Sequence, residues 1–238
     1  MTHKPTSDRK ATVSARGMLH APWAAGLSDE LRSRVITETS LRTVEQGAYV
    51  CRKGDAADHW LGVMEGLVKV SSVSEEGRPM SFIGVPTGGW FGEGSILKDE
   101  RRLFDAIALR RSIVACVPKR TFLLLLETSV AFNRFLIAQL NERLGQFVAM
   151  VEHGRLLDSE AKLATELASL TNPLLYPGNR STIPISQDEL AQLIGLSRQR
   201  VNRVLKHLQE AGLVDIKYRS VTICDVERLK RWRPVAID

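Results

Sequence analysis

The sequence predicts an α+β fold in which a β-rich module is followed by a long helix and a second, mainly helical module. Short segments rich in Val, Ile, Phe and Tyr, separated by glycines, run from about residue 41 to residue 119. A stretch without proline follows from 122 to about 157. A helix cap, a glycine turn, a second helix and alternating strands then follow one another between 186 and 223. The 238 residues are sufficient for two modules of ordinary size.

The composition is that of a globular protein without a membrane segment. Hydrophobic residues make up 44% of the chain and charged residues 25%. The longest apolar run, residues 122–126, is far shorter than the roughly eighteen residues that a membrane-spanning helix needs. No apolar segment typical of a signal peptide follows the polar residues 1–16. We therefore expect a cytoplasmic protein with no membrane partner.

The three cysteines do not form a recognisable framework. Cys51, Cys116 and Cys224 show no C-x-x-C spacing, and their odd number argues against a disulfide scaffold. A zinc or iron–sulfur site ligated by cysteine is therefore not expected, and we predict no metal centre.

The N-terminal residues differ from the β module that follows them. Residues 1–20 carry four basic groups and one acid and show no apolar periodicity, so we expect a mobile basic arm. Leu27, Leu31 and Val35 then recur at helical spacing, and Ser28 is a suitable N-cap. A short helix therefore precedes the strands.

The β module shows the alternation and turns of antiparallel hairpins. Residues 67–70 alternate apolar and polar side chains, Glu76-Gly77 is a turn signal, and a new strand pattern begins at residue 80. Hairpins at this spacing predict a sandwich or a small barrel.

The long predicted helix carries one apolar seam with heptad spacing. The intervals of 3, 4, 3 and 4 residues place alternate positions on one stripe, which is typical of a helix that pairs with a second copy of itself. Packing within one subunit remains the alternative, because only about two heptads match. The seam residues are Ile137, Leu140, Leu144, Phe147 and Val151. A further helix is expected from a cap at residues 158–160 to about Leu170.

The C-terminal pattern is that of a helix-turn-helix followed by a wing. Ser186 and Glu189 have the spacing of a capping box, and Gly195 lies where a tight turn needs a residue that tolerates positive φ. Ser197 caps a second helix whose apolar residues recur with helical period, and residues 213–223 alternate as two strands. This order predicts the docking geometry of a DNA-binding helix in the major groove.

The exposed face of the second helix supplies side chains that can recognise base edges. Arg198, Gln199 and Arg203 are predicted to read bases, because Arg and Gln make bidentate contacts there. Contacts to the DNA backbone are predicted for Ser186, Gln187, Ser197, Arg200, Lys206, Lys217 and Arg219. Residues 180–238 carry eleven basic groups against seven acids, which also favours double-stranded DNA as a partner.

The sequence from Ile185 to Leu205 resembles the winged helix of the Crp/Fnr transcription regulators. Upstream, Gly54-Asp55, residues 66–70 and Phe91-Gly92-Glu93 resemble the cyclic-nucleotide-binding β-roll of that family. The resemblance implies a homodimer that reads a palindromic operator, with RNA polymerase as a further partner. It also implies that three parts follow the arm (1–20): a jelly-roll effector domain (21–121), a dimerisation helix (122–157) and a winged-helix DNA-binding domain (158–238).

The resemblance places an effector pocket but weakens cyclic AMP as its ligand. Gly92-Glu93 matches the pair that contacts ribose in the family, and Arg102 falls on the arginine that holds the cyclic phosphate. Leu103 replaces its serine partner, and Phe147-Val148 replaces the Thr-Ser pair that holds adenine. Loss of these hydrogen-bond partners severely weakens such a site. No cofactor is assigned, and we expect either a small anionic or nucleotide-like effector or a regulator that needs none.

Other function classes have less support. His59 beside Trp60 is a weak candidate for a haem ligand, because a lone histidine is more often structural. Glu93 has no paired carboxylate or nucleophile, so we expect no enzyme activity. A regulatory module acting on a protein partner is the remaining alternative, and it would not need the basic recognition helix.

Overall fold

The structure, a computed structural model, describes residues 15–73, 79–155, 159–178 and 181–232. Two short 3-10 helices, Ala15–His20 and Pro22–Ala24, precede helix α1 (Asp29–Glu38). Ser28 caps α1, and its Oγ accepts a hydrogen bond from the Leu31 amide. This cap confirms the predicted first helix.

The predicted arm is too long at its C-terminal end. Residues 15–20 are helical, and Met18 is buried in a hydrophobic cluster with Trp23 and Trp60. The burial of Met18 stabilises this segment although its sequence shows no periodicity. The remainder of the predicted arm lies outside the described residues.

The β module is a sandwich of two four-stranded antiparallel sheets. One sheet has the order β1-β8-β3-β6 and the other β2-β7-β4-β5. A short helix, α2 (Glu93–Leu97), connects β6 to β7. The strands are β1 (Ser40–Val44), β2 (Tyr49–Cys51), β3 (His59–Glu65), β4 (Leu67–Val73), β5 (Pro79–Pro86), β6 (Trp90–Phe91), β7 (Asp105–Ala108) and β8 (Ser112–Pro118). The predicted α+β class and the predicted hairpins are confirmed.

The alternation of strand residues divides the apolar side chains between two clusters. On β3, Leu61 and Val63 face the interior of the sandwich, whereas Trp60 points to the opposite face. There its ring contacts Trp90 and Phe132, with centroids 4.2 and 5.5 Å apart. One sheet therefore packs on the other through one face and on the helices through its second face.

The long helix predicted over residues 122–157 is broken near its start. Helix α3 (Lys119–Thr128) ends before Ser129, and helix α4 (Val130–Arg155) leaves at an angle of 109°. Ser129 has extended backbone angles, and its Oγ accepts a hydrogen bond from the Phe132 amide. The break therefore depends on a serine cap, which replaces the continuing helical hydrogen bond.

None of the single helices in the described residues has the length and hydrophobicity of a membrane span. Only the bent pair of α3 and α4 passes that test, by length and composition when the two are taken together.

The C-terminal domain packs helices against a small antiparallel sheet of order β10-β11-β9. Two of these strands form the predicted wing, whereas the third, β9, is only two residues long and was not predicted. The elements are α5 (Ser159–Ser169), β9 (Thr182–Ile183), α6 (Gln187–Ile194), α7 (Arg198–Glu210), β10 (Val214–Lys217), β11 (Ser220–Ile223) and α8 (Val226–Lys230). The end of α5 agrees with the predicted end near Leu170.

Hydrogen bonds at Gly84 of β5 join the two domains. The Gly84 carbonyl accepts a hydrogen bond of 2.8 Å from the Tyr176 hydroxyl, and the Gly84 amide donates one of 3.3 Å to Glu166. Arg143 of α4 donates to the same Tyr176 hydroxyl. A Cβ at Gly84 would lie only 3.0 Å from a methyl group of Leu193 on α6, so this close packing leaves little room for a side chain there. We call these five residues the Gly84 junction.

Glu166 makes the stability of this junction depend on pH. Burial raises the pKa of Glu166 from 4.5 to about 7, although the Gly84 amide, Arg143 and Lys162 oppose the increase. Below about pH 4.5 the carboxyl is protonated in both the folded and the unfolded chain. As the pH rises towards 7, the unfolded chain loses this proton first, so the free energy of unfolding falls.

We predict that the Glu166→Gln variant lacks this loss of stability. Between pH 4.5 and 7.5 the wild-type protein should lose on the order of 2–3 kcal/mol relative to the variant. The free energy of unfolding by urea, measured across this range, checks the prediction. Glu210→Gln, a change at an exposed glutamate, should retain the wild-type profile. Parallel profiles for wild type and Glu166→Gln would contradict it.

Candidate nucleic-acid interface and effector site

The first helix of the helix-turn-helix, α6, is held by the predicted capping box. Ser186 Oγ accepts a hydrogen bond of 3.2 Å from the Glu189 amide, and Glu189 Oε2 accepts one of 2.7 Å from the Ser186 amide. The helix ends at Gly195, whose φ of 68° and ψ of 35° place it in the left-handed region. The turn that separates α6 from α7 therefore depends on local residues that the sequence identifies.

Helix α7 presents the three predicted base-reading residues to solvent. Ser197 Oγ accepts from the Arg200 amide and so caps the helix. At 3.6 residues per turn, Arg198, Gln199 and Arg203 lie on one side of α7, and all three are exposed. The opposite side is buried in the domain core through Val201, Val204, Leu205 and Leu208. The hydrophobic face thus determines which side chains remain available to a partner.

The residues predicted to contact the DNA backbone fall into two groups. Lys206 is exposed on α7, and Lys217 and Arg219 flank the exposed Tyr218 at the tip of the wing. Arg219 has a positive φ of 54° there, as a tight turn requires. These three cations extend the basic surface of α7 towards the wing.

The other predicted backbone contacts already have partners within the protein. Gln187 accepts a hydrogen bond from Asn202, and Ser186 and Ser197 are helix caps. Arg200 Nε donates to Ser159 Oγ at 2.9 Å, because Arg200 lies on the side of α7 that faces α5. Arg200 therefore connects α7 to α5 in this structure.

Acidic residues balance part of the basic surface. Arg198 lies 3.4 Å from Asp188, and both side chains are largely exposed. Such exposed pairs are weak, so Arg198 can exchange this partner for a base at little cost. Arg110 of the sandwich approaches Glu189 at 2.8 Å and donates to the Pro184 carbonyl at 2.6 Å. These contacts attach the helix-turn-helix to the sandwich beside the Gly84 junction.

The β module brings together Gly92, Glu93 and Arg102, as predicted for the effector pocket. Gly92 has a φ of 89°, and a Cβ on it would lie 2.4 Å from Arg102 Nη1. Arg102 is only 3% exposed and donates to the carbonyls of Gly92 and His59. Within the described residues, Arg102 Nε and Glu93 Oε2 are buried without a hydrogen-bond partner. The site thus contains an arginine that two main-chain carbonyls fix in place, and one atom each of Arg102 and Glu93 lacks a hydrogen-bond partner.

The remaining predicted pocket residues lie apart from this group. Leu103 is exposed, as are Phe147 and Val148 on α4. The Phe147 ring packs against Phe82 of β5 at a centroid distance of 6.3 Å. No hydrogen bond or ring contact among the described residues joins Phe147 or Val148 to the Gly92, Glu93 and Arg102 group.

Helix α4 faces the sandwich through polar residues that the sequence reasoning missed. Gln139 and Arg143 are buried, and Arg143 donates to the Trp90 carbonyl at 3.2 Å. The sequence does contain a second stripe on this helix, with intervals of 4, 3, 4 and 3 residues, that could have predicted the buried face. Because some of its residues are polar, it is less evident than the apolar seam. This stripe contains Phe132, Leu136, Gln139, Arg143 and Gln146.

The predicted dimerisation seam lies on another face of α4. Ile137 and Leu144 are 67% and 61% exposed, and the other three seam residues, Leu140, Phe147 and Val151, are also exposed. The described residues of the chain therefore leave this apolar face uncovered.

The cysteine and histidine side chains do not assemble a metal centre in the part of the chain that the structure describes. Cys51, Cys116 and Cys224 are free thiols. Burial raises the pKa of Cys51 to about 11 and also raises the pKa of Cys116, whereas burial lowers the pKa of His59.

Two domain families match this chain. Residues 41–129 match the cyclic nucleotide-binding domain, and residues 161–232 match the Crp-like helix-turn-helix domain. The first match covers most of the sandwich and α3, and the second covers α5 to α8.

Relatives of known function match over most of their length. The chain is 27% identical to the cAMP-activated global transcriptional regulator Vfr of Pseudomonas aeruginosa, over 71% of this chain and 82% of that protein. It is 23% identical to the cAMP-activated global transcriptional regulator CRP of Haemophilus influenzae, over 79% and 85% of the two chains. It is 28% identical to the transcriptional regulator LdrP of Thermus thermophilus, over 78% and 93%.

Solved structures share the fold at low sequence identity. FixK2 from Bradyrhizobium japonicum aligns with a TM-score of 0.61 at 19% identity, over 83% of this chain and 98% of that one. The c-di-GMP responsive global regulator CLP of Xanthomonas campestris aligns with a TM-score of 0.56 at 23% identity, over 82% and 99%. Because both domain matches and the relatives agree with the geometry of α6, α7 and the sandwich, this chain belongs to the Crp/Fnr family of DNA-binding transcription regulators.

Proposed function

We propose that the protein acts as a homodimer that reads a palindromic operator through α7 and responds to an effector at the sandwich. The observation that carries the proposal is the exposed face of α7, on which Arg198, Gln199 and Arg203 lie in the first two turns. In a helix-turn-helix these turns enter the major groove. The protein is then a cytoplasmic regulator that meets RNA polymerase at the promoter.

Gln199 distinguishes the recognition helix α7 from those of the best-known family members, which carry Glu at the corresponding position. A carboxylate accepts a hydrogen bond from cytosine N4, whereas the Gln amide both donates and accepts and suits N6 and N7 of adenine. The operator should therefore differ from the TGTGA pattern at the base pair that Gln199 contacts.

The two faces of α4 support the homodimer. The stripe through Gln139 and Arg143 is buried against the chain's own sandwich, so the seam through Leu140 and Leu144 is left for another partner. Apolar side chains at heptad spacing are well suited to a second copy of the same helix. A two-fold dimer also places two α7 helices on two half-sites about one DNA turn apart.

The residues of the effector site favour an anionic ligand other than cyclic AMP. Arg102 Nε and Glu93 Oε2 leave one donor and one acceptor for an anionic, hydroxyl-bearing molecule. By the resemblance, however, Phe147 and Val148 stand at the positions that hold adenine, and neither side chain offers a hydrogen bond; the Phe147 ring packs against Phe82. Arg102 is also held by two main-chain carbonyls, which favours a regulator that folds without a ligand.

We expect Arg198→Ala and Arg203→Ala each to weaken operator binding by about 1–3 kcal/mol and to relax specificity at one base pair. Selection from random DNA followed by electrophoretic mobility shift measures both effects. Lys206→Ala is the matched control, because loss of a phosphate contact weakens all sequences equally. Equal weakening of operator and random DNA by the two arginine variants would show that they contact phosphates instead.

The double variant Leu140→Lys/Leu144→Lys should be monomeric. It brings like charges together across the two-fold interface, at a cost of several kcal/mol when they are unpaired, by the order of magnitude of buried charges. Sedimentation should detect the monomer, and operator affinity should fall with it. Leu103→Lys, at an exposed leucine outside α4, should leave the dimer intact. A dimeric double variant with unchanged operator binding would contradict the proposed interface.

Cyclic AMP should bind weakly or not at all to protein that has been stripped of small molecules. Calorimetry with cyclic AMP and cyclic GMP measures this, because the expected pocket lacks the hydroxyl pair that holds adenine. Tight binding that disappears in Arg102→Ala would disprove the weak-binding prediction but support the site. Tight binding that survives Arg102→Ala would contradict both.

A further inference from the structure

A buried carboxylate at the start of α6 brings the sandwich, the helix-turn-helix and the wing together. Glu189 is only 4% exposed and lies in the first turn of α6. Its Oε2 accepts hydrogen bonds from the amide and the hydroxyl of Ser186. Its Oε1 lies 2.8 Å from Nε of Arg110, in the turn between β7 and β8, and 4.0 Å from Nη2 of Arg219, in the wing. The capping box therefore uses one carboxylate oxygen, and two arginines approach the other.

The two arginines contact Glu189 unequally. The Nη2 of Arg110 also donates to the Pro184 carbonyl, which fixes the guanidinium beside the carboxylate. Its Nε forms a close ion pair with Glu189 rather than a well-aligned hydrogen bond. Arg219, in contrast, is 57% exposed and lies at the outer distance of an ion pair. Its attraction to Glu189 is therefore weak, and Arg219 can exchange this partner for another anion at little cost.

The positive charge of Arg110 also acts on Arg219 directly. Burial lowers the pKa of Arg110, the Glu189 carboxylate opposes this effect, and the positive charge of Arg219 adds to it. The two guanidinium groups are thus close enough to repel each other. Arg110 therefore neutralises the carboxylate and at the same time weakens its hold on the wing arginine.

Two other acids close to this cluster have cations of their own. Asp188, the neighbour of Glu189, lies 3.4 Å from Arg198, and Asp215 of the wing lies 3.4 Å from Lys217. Among the ion pairs of the described residues, Arg219 is paired only with Glu189. The balance between Arg110 and Arg219 at this one carboxylate therefore decides which anion Arg219 meets.

Removal of Arg110 would leave the negative charge of Glu189 buried without a close cation. Such a charge is costly, and Arg219 is the cation that can move in from 4.0 Å to compensate it. The first helix of a helix-turn-helix crosses the DNA backbone, so a wing arginine bound to this helix through Glu189 is no longer available to a phosphate.

We propose that Arg110 is a positioning residue for DNA binding, which pairs with Glu189 and thereby leaves Arg219 free to bind a DNA phosphate. The inference rests on the proposed function, because it takes Arg219 as a contact to the DNA backbone. It adds that a residue of the sandwich, which itself lies outside the DNA-binding domain, sets the number of phosphate contacts.

The salt dependence of operator binding counts phosphate contacts on the full-length protein. Each contact contributes about 0.9 to the slope of log affinity against log salt concentration. Between about 50 and 200 mM KCl, Arg219→Gln should make this slope less steep by about 1.8, because a dimer loses one contact at each wing. Arg110→Gln should produce the same change, and the double variant Arg110→Gln/Arg219→Gln should show no further change. Fluorescence anisotropy of a labelled operator measures all of these slopes.

Arg111→Gln is the matched control, because it removes the same charge from the same turn of the sandwich. Arg111 is 56% exposed and lies 3.6 Å from Glu45 of the sandwich. This variant should retain the wild-type slope. Arg110→Lys, which keeps a positive charge beside Glu189, should also retain it.

A substitution at Glu189 separates positioning from general stability. Glu189→Gln removes the negative charge, and Gln is as suitable as Glu for the capping box. Arg110→Gln/Glu189→Gln should therefore regain the wild-type slope, because Arg219 then has no carboxylate to bind. Lost packing at Arg110 would not be repaired in this way. The same double variant carries the test if Arg110→Gln alone does not fold, because it contains no unpaired buried carboxylate.

Four results would overturn the proposal. They are a wild-type slope for folded Arg110→Gln, a further change in Arg110→Gln/Arg219→Gln, a reduced slope in Arg110→Gln/Glu189→Gln, and a wild-type slope for Arg219→Gln. The last result would show that the wing arginine does not contact a phosphate. None of the four affects the proposed base reading by α7, because the specificity of the Arg198 and Arg203 variants measures that function separately.

Discussion

The structure depends on how the edge strand β5 is covered. Among the described strands, β5 has β4 on one side and no strand on the other, so its outward backbone groups need partners from elsewhere. At Gly84 these partners are Tyr176 and Glu166, which belong to the C-terminal domain and its leading helix. The DNA-binding domain thus completes the hydrogen bonding of the sensor sheet, and the absence of a side chain at Gly84 lets Leu193 approach. Together with the contacts of Arg110 to Glu189 and Pro184, this contact attaches α6 to the sandwich.

Helix α4 connects the sandwich to the same contact. Arg143 donates both to the Trp90 carbonyl, beside Gly92 and Glu93, and to the Tyr176 hydroxyl at the Gly84 junction. One side chain of α4 thus contacts both the sandwich near β6 and the segment that leads into the DNA-binding domain. A ligand can change the position of the DNA-binding domain only if it binds one arrangement of the two domains more tightly than another. Such an effect needs an element that contacts both the effector site and the DNA-binding domain. Arg143 is such an element, and its helix also carries the proposed dimer seam.

Arg102 illustrates why a family position is not the same as a family ligand. The residue lies where the resemblance places it, beside Gly92 and Glu93, yet main-chain carbonyls hold two of its nitrogens. Arg42, Cys51 and Cys116 line a cleft beside it, and none of them belongs to the nucleotide contacts expected from the resemblance.

The sequence by itself determined the features that depend on residues three or four positions apart. The capping box of Ser186 and Glu189, the left-handed Gly195, the inward face of α7 and the exposed Arg198 all follow from local spacing. Only the tertiary structure decided the burial of Met18, the strand β9 and the inward orientation of Gln139 and Arg143. Each of these depends on contacts between segments distant in sequence, and long-range packing and hydrogen bonds override weak local preferences.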